Sequence, residues 1–278
     1  MLKWVTPRNN ILAKQQLFYR ERLLHMISLK HYTANFQNSW NNIVSTADNG
    51  HFMINRDYME YHSDRFQDAS FLVFREDRLV GIIPGNRNED TFYTHQGLTF
   101  GGIILHPDLN RASVYSQVFK KFFETIRLEG YKAVQYKCIP HIYHRSPCES
   151  EQYFISTYSK NIQSQIELST TVNLQTPISP SKLRVRSKKK ADKSGIIVQE
   201  SKDYKGFWEI LSQRLDEKYK KNPVHTLEEI QLLQKRFPNN IKLYTSAHPQ
   251  HGICGGVLVY ETEKVAHAQY ISASSFGM

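Results

Sequence analysis

His225 stands beside Pro223 at the start of an expected helix, in a segment that also carries Lys218, Tyr219 and Lys221. Imidazole titrates near neutral pH, so this side chain can act as a base or touch an acceptor; as a surface residue flanking a helix it does neither. Tyr270 lies near the end of the last expected strand, where its phenol can donate a proton to a leaving group or simply pack on a sheet. His95-Gln96-Gly97 and Gly101-Gly102 sit where two expected strands would face a cleft, and glycine lets a backbone approach a ligand closely; the other reading is a tight strand connection with a satisfied histidine. Cys138, His141, His144 and Cys148 are metal-ligand types in a C-x2-H-x2-H-x3-C arrangement. That spacing is not a familiar finger pattern, and Pro140 and Pro147 restrict the loop, so no metal is expected. There is no P-loop, dinucleotide glycine pattern or nucleophile elbow, which removes kinase, dehydrogenase and serine-hydrolase readings.

Charge is the next chemical signal. The net charge is +10 and the pI about 9.4. Lys182, Arg184, Arg186, Lys188, Lys189, Lys190 and Lys193, against the single acid Asp192, supply +6 of it and leave an ordinary +4 elsewhere. Such a cluster is a solvated linker or helix face, or else a site for phosphate or another polyanion: tRNA, a nucleotide-linked sugar or an anionic membrane surface. Arg186 is the residue within it expected to steady a phosphate.

The elements that must position these residues follow from composition and periodicity. At 278 residues, and about 150 per domain, two domains are expected. With 40% hydrophobic, 12% aromatic and 22% charged residues the chain can bury a core. No apolar run approaches the roughly 18 residues of a membrane helix, and three cysteines, an odd number, favour a reducing, cytoplasmic setting. Residues 1–25 read as an N-terminal extension, with a strand starting at Met26. Phe36, Trp40, Ile43 and Val44 predict an amphipathic helix, and a shorter helix follows Asn55. Strands are expected over 70–74, 79–84, 91–94 and 100–105, the first two forming a hairpin through Glu76-Asp77-Arg78. A helix over 111–128, a strand over 133–139, a loop to Pro147 and a helix over 149–158 complete the first half. Beyond the basic stretch come a strand, a helix capped by Asp203, a second helix opened by the Thr226/Glu229 capping-box spacing, and three strands over 241–245, 253–260 and 265–273.

The strings DYMEYHSDRF, THQGLTFGGIIL, IPHIYHRSPCES, KLRVRSKKKADKSG, KYKKNPVHTLEEIQLLQKRFPNNIKLY and AHAQYISAS together resemble those of tandem-GNAT, Fem-like acyltransferases, most closely the GNAT proteins found with bacterial surface-polysaccharide genes. The resemblance runs from about Met26 to the last residue. It implies a mixed α+β or α/β chain with a duplicated GNAT-like (acyl-CoA N-acyltransferase) fold: a first copy over 26–181, a basic linker over 182–195 and a second copy over 196–278. It also implies acyl-CoA or aminoacyl-tRNA as donor, with no metal, and an amine of an envelope amino sugar or peptide precursor as acceptor. Tyr270 and His225 are then the expected catalytic residues, and His95, Gln96, Gly101, Tyr143, His144, Arg186 and Gln269 the expected substrate-binding ones. Two departures stand out. The loop HPDLNRAS lacks the glycine-rich turn that wraps CoA pyrophosphate, and relatives continue past the QYISAS strand, so the second copy is expected to be incomplete. A remnant that only binds an envelope precursor or tRNA is the alternative expectation. Oligomeric state is not set by the sequence.

Overall fold

The computed structural model describes residues 27–159 and 161–277, so the expected extension over 1–25 and the start at Met26 lie outside the described residues. The chain divides into two compact units, one ending at Ile162 and the other beginning at Gln163.

In the first unit β1 (Ile27–His31) leads to α1 (Gln37–Thr46) and the short α2 (Arg56–Met59). Strands β2 (Gln67–Asp68), β3 (Phe71–Arg75), β4 (Arg78–Ile83), β5 (Asn86–Asn88), β6 (Thr91–Tyr93) and β7 (Ile104–Leu105) follow. The unit continues with α3 (Ala112–Leu128), β8 (Ala133–Gln135) and α4 (Ser150–Tyr158). One antiparallel sheet has the order β1-β3-β4-β7, and a second has the order β2-β5-β6-β8, in which β6 and β8 run parallel. The three-and-four spacing of α3 turns Val114, Val118, Phe119, Phe122 and Ile126 inward. They meet Phe71, Val73, Ile83 and Phe92 of the sheets in one core. Burying side chains of this size contributes about 2 kcal/mol each, which is what holds so short a set of strands together.

In the second unit α5 (Lys182–Lys193) precedes β9 (Ile197–Ser201), α6 (Tyr204–Tyr219), α7 (Leu227–Arg236), β10 (Ile241–His248), β11 (Gly252–Glu261) and β12 (Ala266–Ala273). The basic stretch is therefore helical, with the Ser181 hydroxyl accepting from the Arg184 amide at 3.4 Å. The sheet is antiparallel throughout, in the order β9-β10-β11-β12. Phe207, Trp208 and Leu211 of α6, with Ile230 and Leu233 of α7, bury against Leu243, Leu258 and Tyr260.

Duplication is visible in the order of pairing. Setting aside the two-residue β2, which joins the other sheet, and α5, each unit runs strand, helix, helix, hairpin; the first strand pairs with the first strand of the hairpin (β1 with β3, β9 with β10), and the hairpin's second strand pairs with a further strand, β7 in one and β12 in the other.

Two strands expected in the first unit are shorter than their apolar runs predict. Of 133–139 only β8 joins a ladder, and of 100–105 only β7 does, with a lone parallel bridge between Gly101 and Cys138. The parallel ladder stops at Tyr93 and Gln135 because the chain leaves the strand line over 94–100 before returning to pair.

Candidate functional site

In the second unit the register between β11 and β12 shifts at one point. Val259 faces Ala268, but Leu258 faces Tyr270, so Gln269 is the extra residue of a β-bulge. Side chains alternate across a strand, and opposed residues share a face. The bulge therefore places Tyr270 on the face of Leu258, which the helices cover. There the Tyr270 ring meets the edge of Trp208, with ring centroids 5.3 Å apart.

His225 reaches the same spot from the other side of the sequence. Lys220, left-handed at φ 53°, ends α6, and Pro223 prevents the helix from resuming. Thr226 and Glu229 form a full capping box: the Thr226 hydroxyl accepts from the Glu229 amide at 3.2 Å, and the Glu229 carboxylate accepts from the Thr226 amide at 2.8 Å. That box fixes the residue immediately before it. His225 is buried, and its Nδ1 lies 2.7 Å from the Tyr270 hydroxyl, whose oxygen also accepts from the His225 amide at 3.4 Å. Burial raises the Tyr270 pKa above its ordinary value, so the phenol keeps its proton at neutral pH; hydrogen bonds from the backbone at 224–225 and from Gln269 act in the opposite direction. The two residues expected to be catalytic thus form one hydrogen-bonded pair, with Gln269 beside it.

In the first unit the excursion from Thr94 to Phe100 carries His95, Gln96 and Gly97. His95 holds a φ of 102°, a strained conformation for a residue with a Cβ. Gln96 and Asn86 are joined twice: the Gln96 backbone N–H donates to Asn86 Oδ1, and Asn86 Nδ2 donates to Gln96 Oε1, each at 2.7 Å. His95 is buried with its ring 5.2 Å from that of His62. Burial first, and then the neighbouring imidazole, holds its pKa down to about 3, so it is neutral. At Gly101 the close approach that its lack of a side chain permits is to the chain itself: a Cβ would fall 1.9 Å from the Thr94 carbonyl oxygen.

Tyr143 packs edge-on to His51 and against Phe100, with centroids 5.1 Å away in both cases. His144 Nε2 bonds the Ile139 carbonyl at 3.0 Å and so closes the loop between them. Cys148 donates to Asn110 and Ser150, and among the described residues no group of three or more His, Cys, Asp or Glu is placed to hold a metal ion. Arg186 lies on exposed α5.

Sequence reasoning missed two buried charged residues. Arg56, 1% exposed, is sandwiched between the rings of Tyr32 and Trp40 at 3.4 and 4.0 Å and paired with Asp68. Glu151, in the first turn of α4, is 3% exposed, accepts from the Ile103 amide at 2.9 Å and bonds the Tyr136 hydroxyl. Burial pushes its pKa up to about 7, against the lowering effect of those two bonds. No signal in the sequence separates either residue from a solvated surface charge.

No protein-family model matches the sequence, and no curated protein matches it. Among solved structures the chain is similar to FemX, with a TM-score of 0.59 at 10% identity over 89% of this chain and 81% of that one. It is similar also to L-PGS from Bacillus licheniformis, with a TM-score of 0.52 at 9% identity over 88% of this chain and 67% of that one. At such identities the likeness is one of fold. With its pairing order repeated in both units, the chain has a duplicated, GNAT-like α+β fold that it shares with FemX and L-PGS.

Proposed function

We propose that the protein transfers an acyl or aminoacyl group to an amine of an envelope amino-sugar or peptide precursor, and that His225 and Tyr270 handle the protons. The observation that carries this reading is the 2.7 Å contact between His225 Nδ1 and the Tyr270 hydroxyl, made by residues 45 positions apart. The shared fold supports the reaction class. Acyl-CoA and aminoacyl-tRNA are the donor classes.

In such a transfer the amine nitrogen bonds to the acyl carbon as the bond from that carbon to the donor's sulfur or oxygen breaks. One proton must leave the amine and one must reach the leaving atom. His225 takes the first, and Tyr270, protonated because it is buried, supplies the second. The proton on the imidazole then restores the phenol across their hydrogen bond, so the net change is one proton moved from amine to leaving group. No covalent intermediate is needed.

The test is a transfer assay with acyl-CoA, aminoacyl-tRNA and nucleotide-linked amino sugars on the chain and its Tyr270→Phe and His225→Gln variants. Loss of a general acid or base costs about a hundredfold to ten-thousandfold in rate, and the phenyl ring retains the packing on Trp208. Binding of an acceptor without turnover by any donor would overturn the transferase reading and leave a binding module.

A further inference from the structure

The second unit begins with a stretch that its own core does not use. From Ile166 to Ile178 the chain forms no helix or strand, yet it displays Ile166, Leu168, Leu174 and Ile178 at 90%, 101%, 79% and 89% exposure. Lone exposed aliphatic residues are ordinary, whereas a run of them marks an interaction surface. Helix α5 follows directly, and it too buries no residue.

The charges of α5 are arranged. Lys182, Arg186, Lys189, Lys190 and Lys193 are spaced i, i+4, i+7, i+8 and i+11, so they share one face along about 16 Å of helix. None of the five makes a side-chain hydrogen bond or ion pair among the described residues. The one acid of the helix, Asp192, is bonded off that stripe to Lys188 at 2.8 Å. Like charges at i, i+4 repel, and a helix this short gains little from propensity alone, so the arrangement is favoured when an anionic surface neutralises it.

We infer that the stretch from Ile166 to Lys193 is a peripheral docking surface for an anionic lipid bilayer, the cationic stripe meeting the headgroups and the aliphatic residues before it entering the interface. Charge complementarity selects an anionic partner. The aliphatic run selects lipid over RNA, because a phosphodiester backbone offers nothing for Leu168 or Leu174 to bury against, whereas a bilayer interface takes both kinds of side chain. This surface is independent of the transferase reading and goes beyond it.

The experiment is cosedimentation of the full chain with vesicles of phosphatidylcholine, with and without phosphatidylglycerol, at low and high salt and with no acyl donor present. Binding is expected only with phosphatidylglycerol and is expected to weaken as salt rises. Each basic residue near such a surface is worth a factor of about five, so Lys182→Gln, Lys189→Gln and Lys193→Gln together should lower partitioning roughly a hundredfold. Leu168→Ser with Leu174→Ser should lower it further at high salt, where the apolar part remains. All five positions are exposed, so circular dichroism should show the fold unchanged. Absence of binding to phosphatidylglycerol at low salt, equal binding to phosphatidylcholine alone, or unaltered binding by the lysine variant would overturn the inference. So would a structured RNA that displaces the chain from vesicles and itself loses affinity in the lysine variant, which would make RNA the ligand. Loss of transferase activity with any substrate bears on none of these outcomes.

Discussion

Replacing Glu151 by Gln should reshape how the first unit's stability depends on pH. The carboxyl group is buried, and burial lifts its pKa from 4.5 to about 7. Between those values the native state holds a proton that the unfolded chain has released. Its contribution is therefore complete below the unfolded pKa and is lost as pH rises through the folded one. A gap of about 2.5 pKa units corresponds to about 3 kcal/mol. His95 acts in the other direction. Its folded pKa of about 3 lies below the ordinary 6.5, so its contribution is present above pH 6.5 and is lost as pH falls towards 3. From pH 4.5 to 6.5 the two slopes oppose each other and the native chain should be nearly level. A Gln at 151 still offers an oxygen to the Ile103 amide and the Tyr136 hydroxyl, but it cannot ionise. The stability of the variant relative to the native chain should then grow by about 3 kcal/mol between about pH 4.5 and pH 8, whatever constant offset the amide introduces. Peroxide oxidation of Met53 and Met59 across a urea series reads this unit specifically, since both are buried in it. A difference that stays constant across that pH range would refute the assignment of a raised pKa to Glu151.

Other perturbations follow from single contacts. Gly101→Ala places a Cβ 1.9 Å from the Thr94 carbonyl, and backbone cannot yield as a flexible side chain does; a loss of about 3 kcal/mol and a disrupted bridge to Cys138 are expected in urea unfolding. Asp68→Asn leaves the Arg56 guanidinium buried without its counter-charge and should cost about 3 kcal/mol, while Arg56→Met should change stability little or raise it. If both variants destabilise equally, the ion pair is not the reason. Thr226→Ala removes half of the capping box and should cost about 1 kcal/mol. It should also slow transfer, because it frees His225; unchanged kinetics would show that the box does not position the imidazole.

The sequence makes local features legible and long-range ones obscure. The Thr226/Glu229 spacing, the Asp203 cap and the hairpin at Glu76 are written in a few neighbouring residues, and the structure forms each of them. Tyr270 and His225 each stand out by residue type, but their contact depends on a bulge and a turn 45 residues apart, and neither leaves a compositional trace. Glu151 shows the same limit from another side. An acid in the first turn of a helix reads as a favourable exposed charge, and only the packing of α4 beside Ile103 and Tyr136 buries it. The apolar run at 133–139 predicts a full strand, yet its partner leaves the strand line after Tyr93, so most of that run has no ladder to join.

The bulge at Gln269 makes the proton-handling pair depend on counting. Were Gln269 to pair with Leu258 in a regular ladder instead of bulging, every side chain after it in β12 would exchange faces: the phenol at 270 would oppose Val257 and turn away from Trp208 and His225, and Ile271, now 73% exposed, would take the covered side. Composition would not change at all, whereas a chain lacking Gln269 would keep Tyr270 opposite Leu258 in an unbroken ladder. What aims Tyr270 is the parity of its position in the strand, counted with Gln269 left out.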